Sequence, residues 1–352
     1  MIVTLTGNLL AEHTFEFPSW APGRTQRATR ETFRAGGKGI NVSTMLTRLG
    51  ARTIALCFAG GPEGDECLRW LNLRGIDHHA FQSSTPTRAG LVVSALASGQ
   101  PETIFLGPDV APDAVSLVAC AAWLDAEPAS HTLAFCGSFP GWDTPAAAPV
   151  REAIARRMAR ASNVYVDTYG PPLAWFVEKP VALVKINRAE FDQLVRETSE
   201  TRETNANAST HDPAFASALA SDLAPENPMP ARLAAACRRW PAVRAWVVTD
   251  GPRPIWHVAA AANLPPASSV PPIPPIPPVS LQPPAIREIS PTGAGDILFA
   301  CILHGLIDRH FSLAEAIAEA IPFATAKVAD SSLPEQTPAN KVITNKSPQS
   351  SS

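Results

Sequence analysis

Residues whose types and spacing could do chemistry concentrate in two small-residue turns. The first is Gly36-Gly37-Lys38-Gly39-Ile40-Asn41, which runs straight into a stretch where Val42, Met45, Leu46 and Leu49 recur at the spacing of one helix face. Glycines let the backbone turn tightly and approach a ligand, Lys38 adds a positive charge, and a helix start offers free N–H groups, so the cluster suits an anion or a polyol. Taken alone, it fits a purely structural turn as well. The G-x-x-x-x-G-K-[ST] spacing of a Walker A loop is absent, and no G-x-G-x-x-G follows the first expected strand. The second turn, Ser290-Pro291-Thr292-Gly293-Ala294-Gly295-Asp296, passes from an expected strand over 285–289 into an apolar helix. Successive small residues at a helix start let N–H groups converge on one point, the arrangement that stabilises charge developing during phosphoryl transfer. Asp296 could then take the proton of a hydroxyl that attacks a γ-phosphate. For a lone turn of this kind, an acid that merely complements the helix dipole is the competing reading.

These turns need a scaffold, and the sequence supplies an alternation of short apolar runs with helical patterns. Residues 53–59, 131–136, 163–167, 181–185 and 243–249 read as buried strands. The helix between Gly39 and Gly50 is amphipathic, and Gly50 suits the position after its last turn. Repeated strand and helix predict an α/β protein whose mainly parallel sheet is covered on both faces and whose ligands bind beyond the carboxyl ends of the strands. Residues 12–34 and 86–106 break the alternation. They are strand-like and polar without crossover helices, and predict a small separate sheet that acts as a lid.

Composition narrows the partners. The 352 residues are 45% hydrophobic and 17% charged with a formal net charge of −3, so no broad basic field advertises nucleic acid or an anionic membrane. No apolar run reaches the length of a membrane helix, and a small molecule becomes the expected partner. The six cysteines are scattered without metal-ligand spacing and read as reduced thiols. The first residues read as a strand rather than a signal peptide, and a cytoplasmic protein is expected. Ten of the 36 prolines fall between Pro265 and Pro284, which predicts an extended surface insertion over about 261–284. A polar, aperiodic insertion is expected over about 198–230 and a disordered tail over 331–352.

Together, in this order along an α/β chain, the two turns resemble the two signatures of the PfkB/ribokinase family of carbohydrate kinases. The resemblance runs from about Ile2 to Ala329 and takes in Gly137-Ser138-Phe139-Pro140, Asp167-Thr168-Tyr169-Gly170, Lys185-Ile186-Asn187-Arg188-Ala189-Glu190 and Thr249-Asp250-Gly251. It implies one ribokinase-like domain over 1–330, a three-layer α/β/α sandwich with a small β-sheet lid. It also implies ATP and Mg²⁺ as cofactors. By resemblance Asp296 is the catalytic base and Gly293, Ala294 and Gly295 form the anion hole. Asn187 and Glu190 would organise the magnesium through water, while Lys185, Thr249 and Gly251 would border the nucleotide. Gly37, Lys38 and Asn41 would face the sugar. Asn187 could also simply cap the following helix. Dimerisation through the lid is common in the family, and nothing in the sequence decides it.

Within that family, Thr4-Leu5, Asn8, Thr14-Phe15, Pro22-Gly23 and Thr87-Arg88 resemble the branch of 1-phosphofructokinase, tagatose-6-phosphate kinase and the minor 6-phosphofructokinase. That likeness makes Arg88 the expected anchor of a substrate phosphate, helped by Lys38, Ser138 and Arg27 or Arg24, with fructose 1-phosphate the leading substrate. A guanidinium fork suits a phosphate. Four departures bear on the sugar: Glu12 stands where the branch carries Asp, Gly90 replaces a polar residue, Tyr169 a small one, and Ser290 an Asp or Asn. They predict an altered sugar site beside intact transfer machinery. A kinase for an unphosphorylated sugar or nucleoside, and a non-catalytic sugar-phosphate binder of the same fold, are the alternatives.

Overall fold

The computed structural model describes residues 1–95, 98–161, 163–204, 221–259, 277–285 and 292–329. In chain order its first elements are β1 (Ile2–Thr6), β2 (Leu10–Glu16), β3 (Arg30–Gly36), α1 (Lys38–Arg48), β4 (Thr53–Ala59), α2 (Gly61–Leu73), β5 (His78–Gln82), β6 (Arg88–Ala95) and β7 (Gln100–Leu106). Then come α3 (Ala114–Ala126), β8 (Thr132–Cys136), α4 (Ala148–Arg160), β9 (Val164–Asp167), α5 (Pro171–Phe176), β10 (Leu183–Asn187) and α6 (Arg188–Thr204). The last are α7 (Met229–Arg239), β11 (Ala245–Thr249), β12 (Ile255–Ala259), β13 (Val279–Leu281), α8 (Ala294–Ile307) and α9 (Leu313–Ala329).

Strands buried on both faces must be apolar at nearly every position, and β8 and β11 obey this, whereas β1 also buries Thr4 and Thr6. They belong to a nine-stranded sheet in the order β13-β12-β11-β10-β9-β8-β1-β4-β5, parallel from β5 through β11 and antiparallel only at the β12 and β13 edge. Successive side chains leave opposite faces. Leu133 and Phe135 of β8 join one core with helices α3, α4 and α7, whereas Ala134 and Cys136 join another with α1, α8 and α9. The strand order runs one way from β1 to β4 and the other way from β8 onward, so the reversal lies between β1 and β8, where open α/β sheets gather ligands.

The second sheet, β3-β2-β6-β7, is the expected lid. Its strand β2 follows β1 directly, and β3 returns the chain to α1, so the lid is tied to the edge of the switch point. Leu10 pairs with both Gly36 and Arg88, and Glu12 with Arg34 and Gly90, which fixes which side chains face inward. At the far end of α1, Gly50 has φ 77 and donates to Thr47 O, while Ala51 donates to Leu46 O, closing a Schellman motif where the sequence placed the stop.

Three expectations change. Helix α6 extends to Thr204, so the polar stretch from about 198 begins as helix, because its Glu and Arg residues are good helix formers. Within the proline-rich insertion, Val279–Leu281 forms edge strand β13, where the Pro-free run needs donors on one side only. Strand β10 ends at Asn187 rather than at 185, carrying two further side chains to the sheet edge. Residues 205–220, 260–276 and 330–352, and the strand expected over 285–289 apart from Ala285, lie outside the described residues, as does Ser290. Among the described residues no helix is long and apolar enough to cross a membrane.

The junction of β1 and α1 depends on one glycine. Gly37 caps α1 at φ 115, and a Cβ there would meet Thr6 Cγ2 at 2.7 Å. Gly37→Ala therefore combines a strained backbone with a clash and is expected to cost about 2 kcal/mol or more. Urea unfolding reads this directly; an unchanged midpoint would contradict it.

Candidate active site

The carboxyl ends of the central strands open into a cleft of about 510 Å³, roofed by Leu10, Glu12, Arg34, Arg88, Ile104 and Leu106 of the lid. Both small-residue turns meet there. Asp296 stands in the first turn of α8, 6% exposed, and accepts a hydrogen bond from Asn41 Nδ2 at 2.7 Å. Positions 37–41 and 293–296, more than 250 residues apart, thus share a single bond at the cleft floor. Gly293 has φ 82, a left-handed conformation that glycine adopts without penalty, and it starts α8 with Ala294 and Gly295 half open to the cleft.

Beside this pair lies a buried charge network. Asp167, at the end of β9 and fully buried, accepts from Lys38 Nζ at 2.8 Å and from Lys185 Nζ at 2.7 Å through its two oxygens. Lys38 also donates to Glu190 Oε1 at 3.2 Å. The Lys185 ammonium lies 2.9 Å from where a Cβ on Gly295 would sit, so it flanks the glycine turn. Burial opposes the charge on Asp167, but Lys185 and Lys38 outweigh it and hold the carboxyl below its usual range. Burial likewise opposes the charge on Lys38, and the carboxylates of Asp167, Glu190 and Asp296 overcome it and raise its pKa. Asp296 behaves differently. Burial pushes its carboxyl up to about 6, because the Lys38 charge and the Asn41 bond offset that cost only in part and Asp167 adds repulsion. A buried carboxyl poised near neutrality in a cleft is suited to taking and returning a proton.

Asn187 and Glu190 form a capping box at the start of α6. Asn187 Oδ1 accepts from the Glu190 N–H at 2.9 Å, and Glu190 Oε2 accepts from the Asn187 N–H at 2.8 Å. The capping role is therefore real, and both side chains still line the cleft. Among the described residues no cluster of three His, Cys, Asp or Glu could hold a metal directly. Glu190 and the Asn187 amide are hard oxygen donors of the kind that meet Mg²⁺ through its waters, so the residues present fit that ion in an outer role.

Thr249 ends β11, and Gly251 follows in a turn with φ 57; both line one end of the cleft. Ile255, Pro283, Ile321, Ala324 and Val328 wall that end with apolar surface suited to a flat ring. This wall was not legible in the sequence, since positions 321, 324 and 328 on α9 have the spacing of any core-facing helix.

At the opposite end, Arg88 donates to Asp109 Oδ1 at 2.5 Å, and Asn8 Nδ2 reaches both Asp109 Oδ1 at 2.8 Å and Ser138 Oγ at 2.9 Å. Ser138 is thus joined to Arg88 through Asn8 and Asp109. Glu12 is buried and ion-paired with Arg34 Nε. At Gly90 a Cβ would meet Leu10 Cδ1 at 2.9 Å and Leu106 Cδ2 at 3.3 Å, so a side chain there needs those leucine ends to shift. Tyr169 lies with Lys38 Nζ 5.3 Å from its ring centroid. Arg27 is exposed in the loop between β2 and β3 and does not line this cleft, and the lid arginine that lines it is Arg34. Strand alternation explains the exchange, since Arg34 pairs opposite Glu12 on the inward face. Asp109, a lone acid in a loop, offered no sequence signal.

The chain matches the family model described as pfkB family carbohydrate kinase over residues 9–222. It is 31% identical over 198 residues to 1-phosphofructokinase of Borreliella burgdorferi, covering 55% of this chain and 61% of that protein. It is 32% identical over 212 residues to 1-phosphofructokinase of Haloferax volcanii, covering 59% and 64%. The chain therefore spans less than two thirds of the length of either curated relative. Its fold superposes on phosphofructokinase-2 from Escherichia coli in complex with fructose-6-phosphate with a TM-score of 0.71, at 21% identity and 93% coverage of both chains. Against ribokinase from Thermotoga maritima the TM-score is 0.62 at 14% identity, covering 96% of each. With more than half of its length matched and its two glycine turns closed on one cleft, the chain belongs to the pfkB family of carbohydrate kinases.

Proposed function

We propose that this protein is an ATP- and Mg²⁺-dependent kinase that phosphorylates a hydroxyl of a phosphorylated ketohexose, with fructose 1-phosphate as the substrate. The observation that carries this reading is the placement of Asp296, buried and poised near neutrality between the Gly293–Gly295 turn and Asn41, at the floor of a cleft with Arg88 at its sugar end. Asn41 orients the Asp296 carboxylate, which accepts the hydroxyl proton as that oxygen bonds to the γ-phosphorus and the bond to the ADP oxygen breaks. The N–H groups of the turn and the Lys185 ammonium receive the charge that moves onto the transferred group. Bound Mg²⁺ supplies charge neutralisation at the phosphates. Glu190 and Asn187 would hold its waters, and closure of the lid excludes bulk water. The apolar wall from Ile255 to Val328 takes the adenine, beside Thr249 and Gly251.

The six cysteines are free, five of them buried, which suits a reducing compartment and supports the cytoplasm. A homodimer through the lid belongs to the same proposal, favoured by the exposed Phe105 of β7, which alternation places on the face opposite the cleft-lining Ile104 and Leu106.

One observation favours a second reading. Arg88 already holds a carboxylate, Asp109, so an unphosphorylated sugar could bind without leaving that cation bare. ADP release with fructose 1-phosphate, fructose 6-phosphate, tagatose 6-phosphate, fructose and ribose separates the two. Turnover of one phosphorylated ketose is expected, and Arg88→Ala should raise its KM by roughly 10- to 100-fold through loss of charge-assisted bonds to phosphate. Equal turnover of fructose with no effect of Arg88→Ala would establish the second reading.

A further inference from the structure

The donors at the sugar end converge on a single acidic oxygen. Asp109 Oδ1 accepts from Arg88 Nη1 at 2.5 Å and from Asn8 Nδ2 at 2.8 Å, and the same Asn8 amide reaches Ser138 Oγ at 2.9 Å. One difference in burial marks the arrangement. The Arg88 side chain is 14% exposed, whereas that of Asp109, in the loop after β7, is 53% exposed. The guanidinium is also incompletely satisfied: its Nε is buried with no hydrogen-bond partner, and its bond to the carboxylate runs from Nη1 to Oδ1. A fixed cation built for a two-point acceptor therefore holds one oxygen of an anion that can swing into solvent. A phosphomonoester brings a charge of about −1.5 to −2 and three acceptor oxygens, and outbids one carboxylate for such a cation.

We infer that Asp109 is an internal stand-in for the substrate phosphate, held on Arg88 in the free protein and displaced when a phosphoester arrives. This rests on the proposed reading of the site as one for phosphorylated ketoses. Binding is then an exchange of anions. A phosphorylated ketose displaces Asp109 and takes over the donors of Arg88 and Asn8. An unphosphorylated ketose cannot displace it, and gains nothing from Arg88. Asp109 is thus a specificity-determining residue that lowers affinity for every phosphate-bearing ligand while keeping Arg88 neutralised in their absence.

Isothermal titration without ATP tests this on the full chain, using fructose 1-phosphate, inorganic phosphate and fructose against wild type, Asp109→Asn and Asp109→Ala. Melting temperatures establish that each variant is folded; the exposed position of Asp109 makes both substitutions mild. Both variants should bind fructose 1-phosphate and inorganic phosphate about tenfold more tightly, the scale of one charge-assisted contact removed from the competition. Affinity for fructose should stay within twofold. Unchanged or weaker phosphate affinity in both variants overturns the inference, and makes Asp109 a prop that aims Arg88. An equal gain for fructose overturns it too, since that reports a loosened cleft. If wild type turns over fructose 1-phosphate while the variants fail to tighten, the stand-in falls and the proposed function survives. If no protein binds any phosphate-bearing ligand, both fall together.

Discussion

Asp296→Asn is expected to lower turnover by roughly 10³-fold, within the range of general-base contributions, while leaving the dissociation constant of the sugar phosphate within a few-fold of wild type. The amide is close in size to the carboxylate, and its Oδ1 can still accept from Asn41 Nδ2, so geometry is kept and only the basic oxygen is lost. Folding should not suffer. Burial makes the Asp296 charge costly, and it pushes the carboxyl up to about 6. A group raised in the folded state contributes stability fully present below its unfolded pKa and lost as pH rises through the folded one. Between pH 4 and 6 the wild type therefore gives up stability as pH rises, and Asp296→Asn removes that loss. The variant's melting temperature at pH 7 should equal or exceed that of wild type. The same ionisation should set an acid limb near pH 6 in kcat/KM, falling tenfold per pH unit below it. A phosphomonoester also titrates near pH 6, so carbon NMR of the Asp296 carboxyl in the free protein gives the value without substrate. Turnover retained within tenfold of wild type would sink the assignment of Asp296 as the base.

The largest effect on stability should come from Asp167→Ala. Asp167 is fully buried and holds two ammonium groups, one of them Lys185, whose side chain is only 4% exposed. Removing one partner of a buried pair leaves a charge that neither solvent nor protein compensates, at a cost of about 3–5 kcal/mol. Lys38 suffers less, since its side chain is 26% exposed and it keeps Glu190. Urea unfolding measures the loss, and Lys185→Met in the Asp167→Ala background should restore part of it, because the orphaned charge is then gone. The pH dependence has the opposite sign to that of Asp296. The Asp167 carboxyl is held below its usual range, so its contribution is present above the unfolded pKa of about 3.9 and is lost as pH falls through the lower folded value. The gap between wild type and Asp167→Ala should therefore close only below about pH 4. A loss under 1 kcal/mol at pH 7 would mean that solvent reaches Lys185 after all.

The sequence by itself determined whatever depends on local rules. The apolar run 53–59 became β4 without adjustment, because a strand buried on both faces needs only an unbroken apolar series. The start and stop of α1 followed from glycines at Gly37 and Gly50 that sit where φ must be positive. The lid was legible because 12–34 and 86–106 have strand-like residues without the crossover helices that a parallel sheet demands. The two turns could be read as one site only through their resemblance to a known order of motifs. The bond between Asn41 and Asp296 that joins them spans 255 residues, and no spacing rule reaches that far.

Tertiary structure decided the partners of each charge. Glu12 acquires its partner only when β2 and β3 pair and bring Arg34 onto it, at a place where both line the cleft. Arg27 and Arg34 are equivalent as residue types, and only strand register turns one into the cleft and leaves the other in solvent. Asp167, Lys38 and Lys185 come from three separate elements that meet because the carboxyl-end halves of β9 and β10 and the start of α1 come together beside the cleft. A side chain's hydrophobicity and propensity act over a few residues and are written in the local sequence. The burial that raises the pKa of Asp296 and the paired lysines that lower that of Asp167 are properties of the closed packing around them, which exists only once the whole sheet has assembled.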